Sequence, residues 1–152
     1  HRTTVFGPEK EPGKFAGKAK YTGLDGRKVS WEVAKTRSYD GGTPGVELPR
    51  LTARAKTRHE NIIYYFAVIL DSSVAQPAQL NIGSNDGIQV WLNGEKVHEY
   101  PELRGLKPGE DHVQVDLKRG ENLILLKLDQ AGGTAGLTLS AEARGAVEFK
   151  LP

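Results

Sequence analysis

Residues 84–94 read Ser-Asn-Asp-Gly-Ile-Gln-Val-Trp-Leu-Asn-Gly. Asn85-Asp86-Gly87 opens the stretch with residues that tolerate positive φ and bond their own backbone, which marks a turn. Strict alternation follows. Ile88, Val90 and Leu92 share one side, and Gln89, Trp91 and Asn93 the other, as period-2 strand geometry requires. Asn93-Gly94 is the strongest short signal for a two-residue hairpin turn, and Glu95-Lys96-Val97-His98 brings the chain back. The stretch therefore reads as a β-hairpin with one aliphatic face. Trp91 stands on the opposite face, either covered by another part of the chain or offered to a ligand.

Upstream of the hairpin, residues 61–70 contain Ile-Ile-Tyr-Tyr-Phe-Ala-Val-Ile-Leu. Apolar residues occupy both parities, and β-branched and aromatic types dominate, as in a central strand covered on both faces. Ala78 to Gly83 reads as a strand with Leu80 and Ile82 inward. Downstream, His112 to Leu117 alternates, with Val113, Val115 and Leu117 on one face. A turn at Lys118-Arg119-Gly120-Glu121 leads into a second doubly apolar strand, Asn122 to Asp129. Gly136 to Ala141 and Ala146 to Leu151 supply two more strands.

The first 60 residues are less regular. Residues 1–27 read as an extended arm anchored by Phe15 and Tyr21. Lys28 to Lys35 alternates, placing Val29, Trp31 and Val33 on one face with Trp31 in the core. Arg37 to Pro49 reads as a loop, because Asp40-Gly41-Gly42 and two prolines break it. Residues 51–60 are polar and basic, an edge strand or an irregular segment. No helical stripe runs through the chain. Short strands every 8–12 residues with turn signals between them indicate an all-β, two-sheet antiparallel sandwich. With no internal linker, residues 1–152 read as a single domain.

A chain of 152 residues can bury about 70% of the surface its unfolded form exposes, so it needs no disulfide or metal to fold. Cysteine is absent, which excludes disulfides, thiolate–metal ligation and a cysteine nucleophile. Methionine is absent too, so we expect a mature chain or an excised domain. No apolar run approaches a membrane span of roughly 18 residues, and no signal peptide is visible. Net charge is +2, too small to suggest nucleic acid. Residues 1–60 nevertheless carry 13 Lys and Arg against 7 Asp and Glu, and residues 61–152 carry 8 against 12. The basic excess is either an ordinary solvated surface or a patch suited to an anionic polysaccharide.

Ser84-Asn85-Asp86-Gly87-Ile88 before Trp91-Leu92-Asn93-Gly94, the loop Leu103-Arg104-Gly105-Leu106-Lys107-Pro108-Gly109-Glu110-Asp111, and Leu117-Lys118-Arg119-Gly120-Glu121-Asn122 before a long apolar strand ending in Gln130 together carry a resemblance. Residues 81–142 resemble the galactose-binding-like jelly-roll modules appended to bacterial extracellular polysaccharide-degrading enzymes. They are also similar to the sugar-binding sandwich domain of β-galactosidase-type hydrolases. The resemblance implies a jelly-roll fold and a secreted or extracytoplasmic module. It further implies a polysaccharide or oligosaccharide ligand, a neighbouring catalytic domain in the parent chain and, in some such modules, a structural calcium. No dense carboxylate cluster supports calcium here.

Catalytic patterns are missing. Glu110-Asp111 lies beside Arg104 and Lys107, which suits a loop-fixing ion pair better than acid–base work. His1, His59, His98 and His112 show no metal-ligand spacing. Gly132-Gly133 lacks the lysine and helix of a phosphate loop. A sugar site needs an aromatic platform with amides, carboxylates or Arg around it. Asn85, Asp86, Trp91, Tyr100, Arg104 and Gln130 are the right types, in or beside loops, although each also has an ordinary structural use. The sequence therefore points to a non-catalytic carbohydrate-binding module that targets an attached enzyme to a polysaccharide. The alternative is a structural or protein-interaction sandwich that binds no sugar. An aromatic open to solvent beside amides favours the first, and a broad apolar patch the second.

Overall fold

The computed structural model describes residues 3–23, 25–34, 36–39, 43–47, 61–132 and 135–152. After a 3-10 turn at Gly7–Lys10 come twelve strands among the described residues: β1 Lys20–Thr22, β2 Lys28–Ser30, β3 Arg37–Tyr39, β4 Thr43–Glu47, β5 Ile62–Ser72, β6 Gln76–Asn85, β7 Gly87–Leu92, β8 Glu95–Tyr100, β9 Asp111–Leu117, β10 Gly120–Gln130, β11 Gly136–Ala143 and β12 Val147–Lys150. Two five-stranded antiparallel sheets form a sandwich, ordered β12-β5-β10-β7-β8 and β3-β4-β11-β6-β9. β1 and β2 make a separate ribbon.

The core lies where the alternation places it. Ile88, Val90 and Leu92 from β7, Leu80 and Ile82 from β6, Val113, Val115 and Leu117 from β9, and Ile124 and Leu126 from β10 form one buried cluster. β10 is the middle strand of its sheet, buried on both faces from Asn122 to Leu128. β5 lies second from the edge, and most of its residues are only half-buried.

Asn93 and Gly94 both take positive φ, 52° and 95°, as a primed two-residue turn between strands of right-handed twist requires. The motif residues around that turn are structural ties. Asn93 Nδ2 donates to Asn122 Oδ1 at 3.0 Å, and Asn93 Oδ1 accepts from the Leu123 N–H at 3.0 Å. Asn122, fully buried, donates to the carbonyls of Leu70, Lys118 and Gly120. Asn93-Gly94 and Gly120-Glu121-Asn122 thus lock one end of the sheet.

Residues 1–60 differ most from expectation. The expected loop at 37–49 contains β3 and β4, paired with each other and, through Gly45–Glu47, with β11. Pro44 lies just outside the ladder to β11, which runs from Gly45 to Glu47, so its missing N–H costs that pairing nothing. The expected strand 28–35 shrinks to β2, and of the apolar side read from the alternation Val29 and Val33 are exposed. Among the described residues β2 pairs with β1 alone, apart from the two five-stranded sheets. Trp31 is half-buried. Residues 51–60 lie outside the described residues.

The N-terminal segment covers the outer face of the β5–β10–β7 sheet. There Leu125 lies between Ala67 and Trp91, and Lys127 between Tyr65 and Gln89. Lys127 Nζ, sealed from solvent, bonds Glu9 Oε1 at 2.8 Å and the Thr4 carbonyl at 2.9 Å. The Tyr65 hydroxyl donates to the same Glu9 oxygen. Burial first, then the Glu9 hydrogen bond and charge, push the Tyr65 phenol well above its ordinary value. Phe6 packs edge-on to Tyr65 at 6.3 Å.

Candidate functional site

At the end of the sandwich, the chain leaves β6 at Asn85 and enters β7 at Gly87. The loop from Pro101 to Glu110 folds back over the same corner. It can approach because Gly83 and Gly136 carry no side chain. A Cβ on Gly83 would collide with the Lys107 carbonyl, and one on Gly136 would stand 2.7 Å from Leu106 Cδ2.

Arg104 is the centre of this corner. Its Nη1 donates to Asp111 Oδ1 at 2.8 Å, and its Nη2 to Asp111 Oδ2 and to Ser84 Oγ at 2.7 Å. Nε donates to Ser84 Oγ at 3.1 Å. Glu110 Oε1 is 3.2 Å from Nε, in ion-pair range but outside hydrogen-bond geometry. The guanidinium carbon sits 3.9 Å from the centre of the Tyr100 ring, a cation–π arrangement. His98 Nε2 reaches Asp111 Oδ2 at 3.1 Å. Burial alone would raise the Asp111 carboxyl, but the hydrogen bond and charge of Arg104, aided by His98, more than offset it and hold it below the usual carboxylate range. Burial likewise works against the Arg104 charge, yet Asp111 and Glu110 raise it above its ordinary value.

Asp86 is a clasp. Oδ1 accepts the Arg104 N–H at 3.3 Å and Oδ2 the Ala131 N–H at 2.9 Å, so one carboxylate ties the 101–110 loop to the end of β10. Ser84 is fully buried and donates its proton to the Asp86 carbonyl at 2.7 Å. Its oxygen accepts from Arg104, so the cluster braces the loop.

Of the six residues singled out from sequence, the structure gathers Asp86, Tyr100 and Arg104 into this corner, with Asn85 beside them. Gln130 is fully buried and donates to the Gly132 carbonyl, so its amide is internal. Trp91 is elsewhere. It lies on the outer face of the sheet beside Leu125, 9% exposed, and offers no open ring to a ligand. A bulge between Val90 and Trp91 shifts the pairing with β8 from His98 to Lys96. One face of Tyr100 is occupied by Arg104. The ion pair expected of Glu110-Asp111 forms with Arg104.

Outside the brace lies an open groove of about 500 Å³. Pro101, Glu102 and Leu103 form one side, Asp129 and Ala131 another, and Asn61 and Thr3 complete it. Leu103 is 71% exposed. Sequence reasoning missed Asn61, Leu103 and Asp129. Leu103 carried a signal, an apolar residue in a polar loop, but nothing in the sequence brings residue 61 beside residue 103. Among the described residues no three His, Asp or Glu side chains converge as metal ligands. No helix among them is long and apolar enough to cross a membrane.

No family model and no curated protein matches the chain. Among solved structures it is similar to a PA14 sugar-binding domain from an RTX adhesin, with 22% identity and a TM-score of 0.48 over 60% of this chain. The chain spans about half the length of that protein chain, 51%.

Proposed function

We propose that the chain is a non-catalytic carbohydrate-binding module of an extracytoplasmic enzyme, with its sugar in the groove at the sandwich end. The groove itself carries this reading. Apolar Pro101 and Leu103 share its lining with the carboxylates of Glu102 and Asp129 and the amide of Asn61. A pyranose presents an apolar face and a rim of hydroxyls, which apolar side chains and carboxylate or amide groups complement. Two carboxylates disfavour a polyanion, so the ligand is a neutral glycan. Tethering the parent enzyme to its polymer would raise effective concentration.

Screening the whole chain on a glycan array and titrating the best neutral glycan by calorimetry tests the reading. Leu103→Asp and Asp129→Asn should each weaken binding about tenfold, the value of one good contact, and leave melting unchanged. Affinity should not fall with salt. Binding insensitive to both variants removes the groove from the account. A second reading, a protein-interaction sandwich that binds no sugar, is favoured by the sealed Trp91 and the occupied face of Tyr100. An array with no bound glycan would select it.

A further inference from the structure

Asp86 stands behind the groove at the sandwich end and not in it. It is buried and takes no part in the lining. Its carboxylate nevertheless joins the walls. Oδ1 accepts from the N–H of Arg104, the residue after Leu103, at 3.3 Å, and Oδ2 from the N–H of Ala131 at 2.9 Å. The carbonyl of Ala131 in turn accepts from the N–H of Asn61 at 3.1 Å. One row of three hydrogen bonds therefore runs through residues 104, 86, 131 and 61. It links the three segments that carry Leu103, Asp129 and Asn61.

The first of these segments has little else to hold it in shape. Pro101, Glu102 and Leu103 are all exposed, and a stretch with few buried apolar contacts opens readily. Asp86 itself is fixed. Its carbonyl accepts from Ser84 Oγ at 2.7 Å, and Ser84 Oγ accepts from Arg104 Nη2 at 2.7 Å. The next residue, Gly87, lies against the same wall, where a Cβ would stand 3.1 Å from the Tyr100 carbonyl oxygen. Arg104 is thus held twice, at its guanidinium by Asp111 and Ser84 and at its backbone by Asp86. The second hold acts directly on the backbone beside Leu103.

We propose that Asp86 is a positioning residue for the groove. It holds the backbones at 104, 131 and 61 as one unit, and so keeps the walls at the spacing a glycan needs, without touching the glycan. This rests on the reading of the groove as a sugar site. A wall that is ordered before the ligand arrives loses less freedom on binding, and that saving is gained as affinity. The sequence pattern offered Asp86 as a ligand-binding group, but each of its oxygens already accepts a backbone N–H.

The first part of the test needs no sugar. Amide hydrogen exchange on the unaltered chain should give Arg104, Ala131 and Asn61 a common free energy of opening, as members of one cooperative unit. Asp86→Asn keeps the shape but turns one acceptor into a donor. It should speed exchange at all three amides about tenfold, the value of one hydrogen bond. Asn61 is the telling position, because its N–H bonds Ala131 and not Asp86. The second part titrates cellohexaose, mannohexaose and xylohexaose into the whole chain. Asp86→Asn should bind them about tenfold more weakly, with the order of preference unchanged. Ile124→Val, in the core of β10, is the control. It should lower the melting temperature and leave affinity as it was. The proposal is overturned by separate opening energies for the three amides, by exchange at Asn61 unmoved in Asp86→Asn, or by equal affinity of Asp86→Asn. It is also overturned by an equal loss of affinity in Ile124→Val, which makes the effect one of stability, or by a changed order of preference, which makes Asp86 a ligand contact. If Asp86→Asn does not fold, the exchange pattern of the unaltered chain decides. If none of the three sugars binds, that result counts against the sugar reading alone, and exchange decides whether Asp86 couples the walls.

Discussion

The outer face of the β5–β10–β7 sheet and the outer face of the β9–β6–β11 sheet arise from the same alternation of side chains, yet one is roofed and the other is open. On the first, Ala67, Leu123, Leu125 and Trp91 are apolar, and the N-terminal segment lies over Ala67, Leu123 and Leu125. On the second, amides form a ladder. Gln114 Nε2 donates to Gln79 Oε1 at 2.6 Å, Gln79 Nε2 to Asn81 Oδ1 at 2.8 Å, and Asn81 Nδ2 to Glu142 Oε1 at 2.8 Å, with His112 Nδ1 2.8 Å from Asn81 Oδ1. Apolar rows exposed to water call for a cover. Amide rows satisfy one another and the solvent, and need none. Lys127 is the exception that shows the coupling. It is a charged residue in an apolar row, and it is buried because the cover brings Glu9 and the Thr4 carbonyl with it.

The largest expected effect tests that coupling. Lys127→Met leaves Glu9 buried beside Tyr65 without its cation, and should cost about 3–5 kcal/mol in urea unfolding. Adding Glu9→Leu should recover much of this loss. A double variant no better than the single one would show that the segment is held by its aromatic contacts alone.

Next in size is Trp91→Ala. The ring is buried on the covered face, so we expect a loss of about 3 kcal/mol and glycan affinity unchanged once folding is corrected for. An intact melting temperature with lost binding would return Trp91 to the role of a ligand platform.

Where the two sheets meet, Arg104→Ala should cost about 2 kcal/mol, because it strips Asp111 and Ser84 of a charged, multiply bonded partner. The Asp111 carboxyl is held below its ordinary value, so its contribution is fully present above about pH 4 and is lost as pH falls through the depressed folded value. Melting curves from neutral to acid pH should therefore be flatter below about pH 4 for Asp111→Asn than for the unaltered chain. Parallel curves would show that Asp111 does not set the acid limit.

The smallest effect belongs to the open face. Gln114→Ala removes one exposed rung of the amide ladder and should change stability by less than about 0.5 kcal/mol. A larger loss would mean that the ladder, like the roofed face, is part of the cooperative core.

Much of the strand layout was legible in the sequence. Period-2 alternation in 88–92 and 113–117 determined which residues enter the core, because a strand offers only two faces, and apolar residues at both parities marked 122–128 as covered on both. Asn93-Gly94 determined its turn, because few residues accept positive φ there. The loop before β9 was legible as polar, and an ion pair of Glu110-Asp111 with Arg104 or Lys107 followed from charge and proximity; packing selected Arg104. The first 60 residues were not, since β3 and β4 draw their stability from β11, about 90 residues away, and carry Pro and Gly that locally argue for a loop. Nor could the sequence say what lies over Trp91. Alternation assigns a side chain to a face but not a cover to that face. Only the tertiary fold, which brings Glu9 to Lys127 and Phe15 and Trp31 to the face that carries Leu125, decided that this face is covered, and that Trp91 on it is 9% exposed. The groove at residues 61, 103 and 129 was likewise decided by packing, because it joins three chain segments with no sequence signal in common.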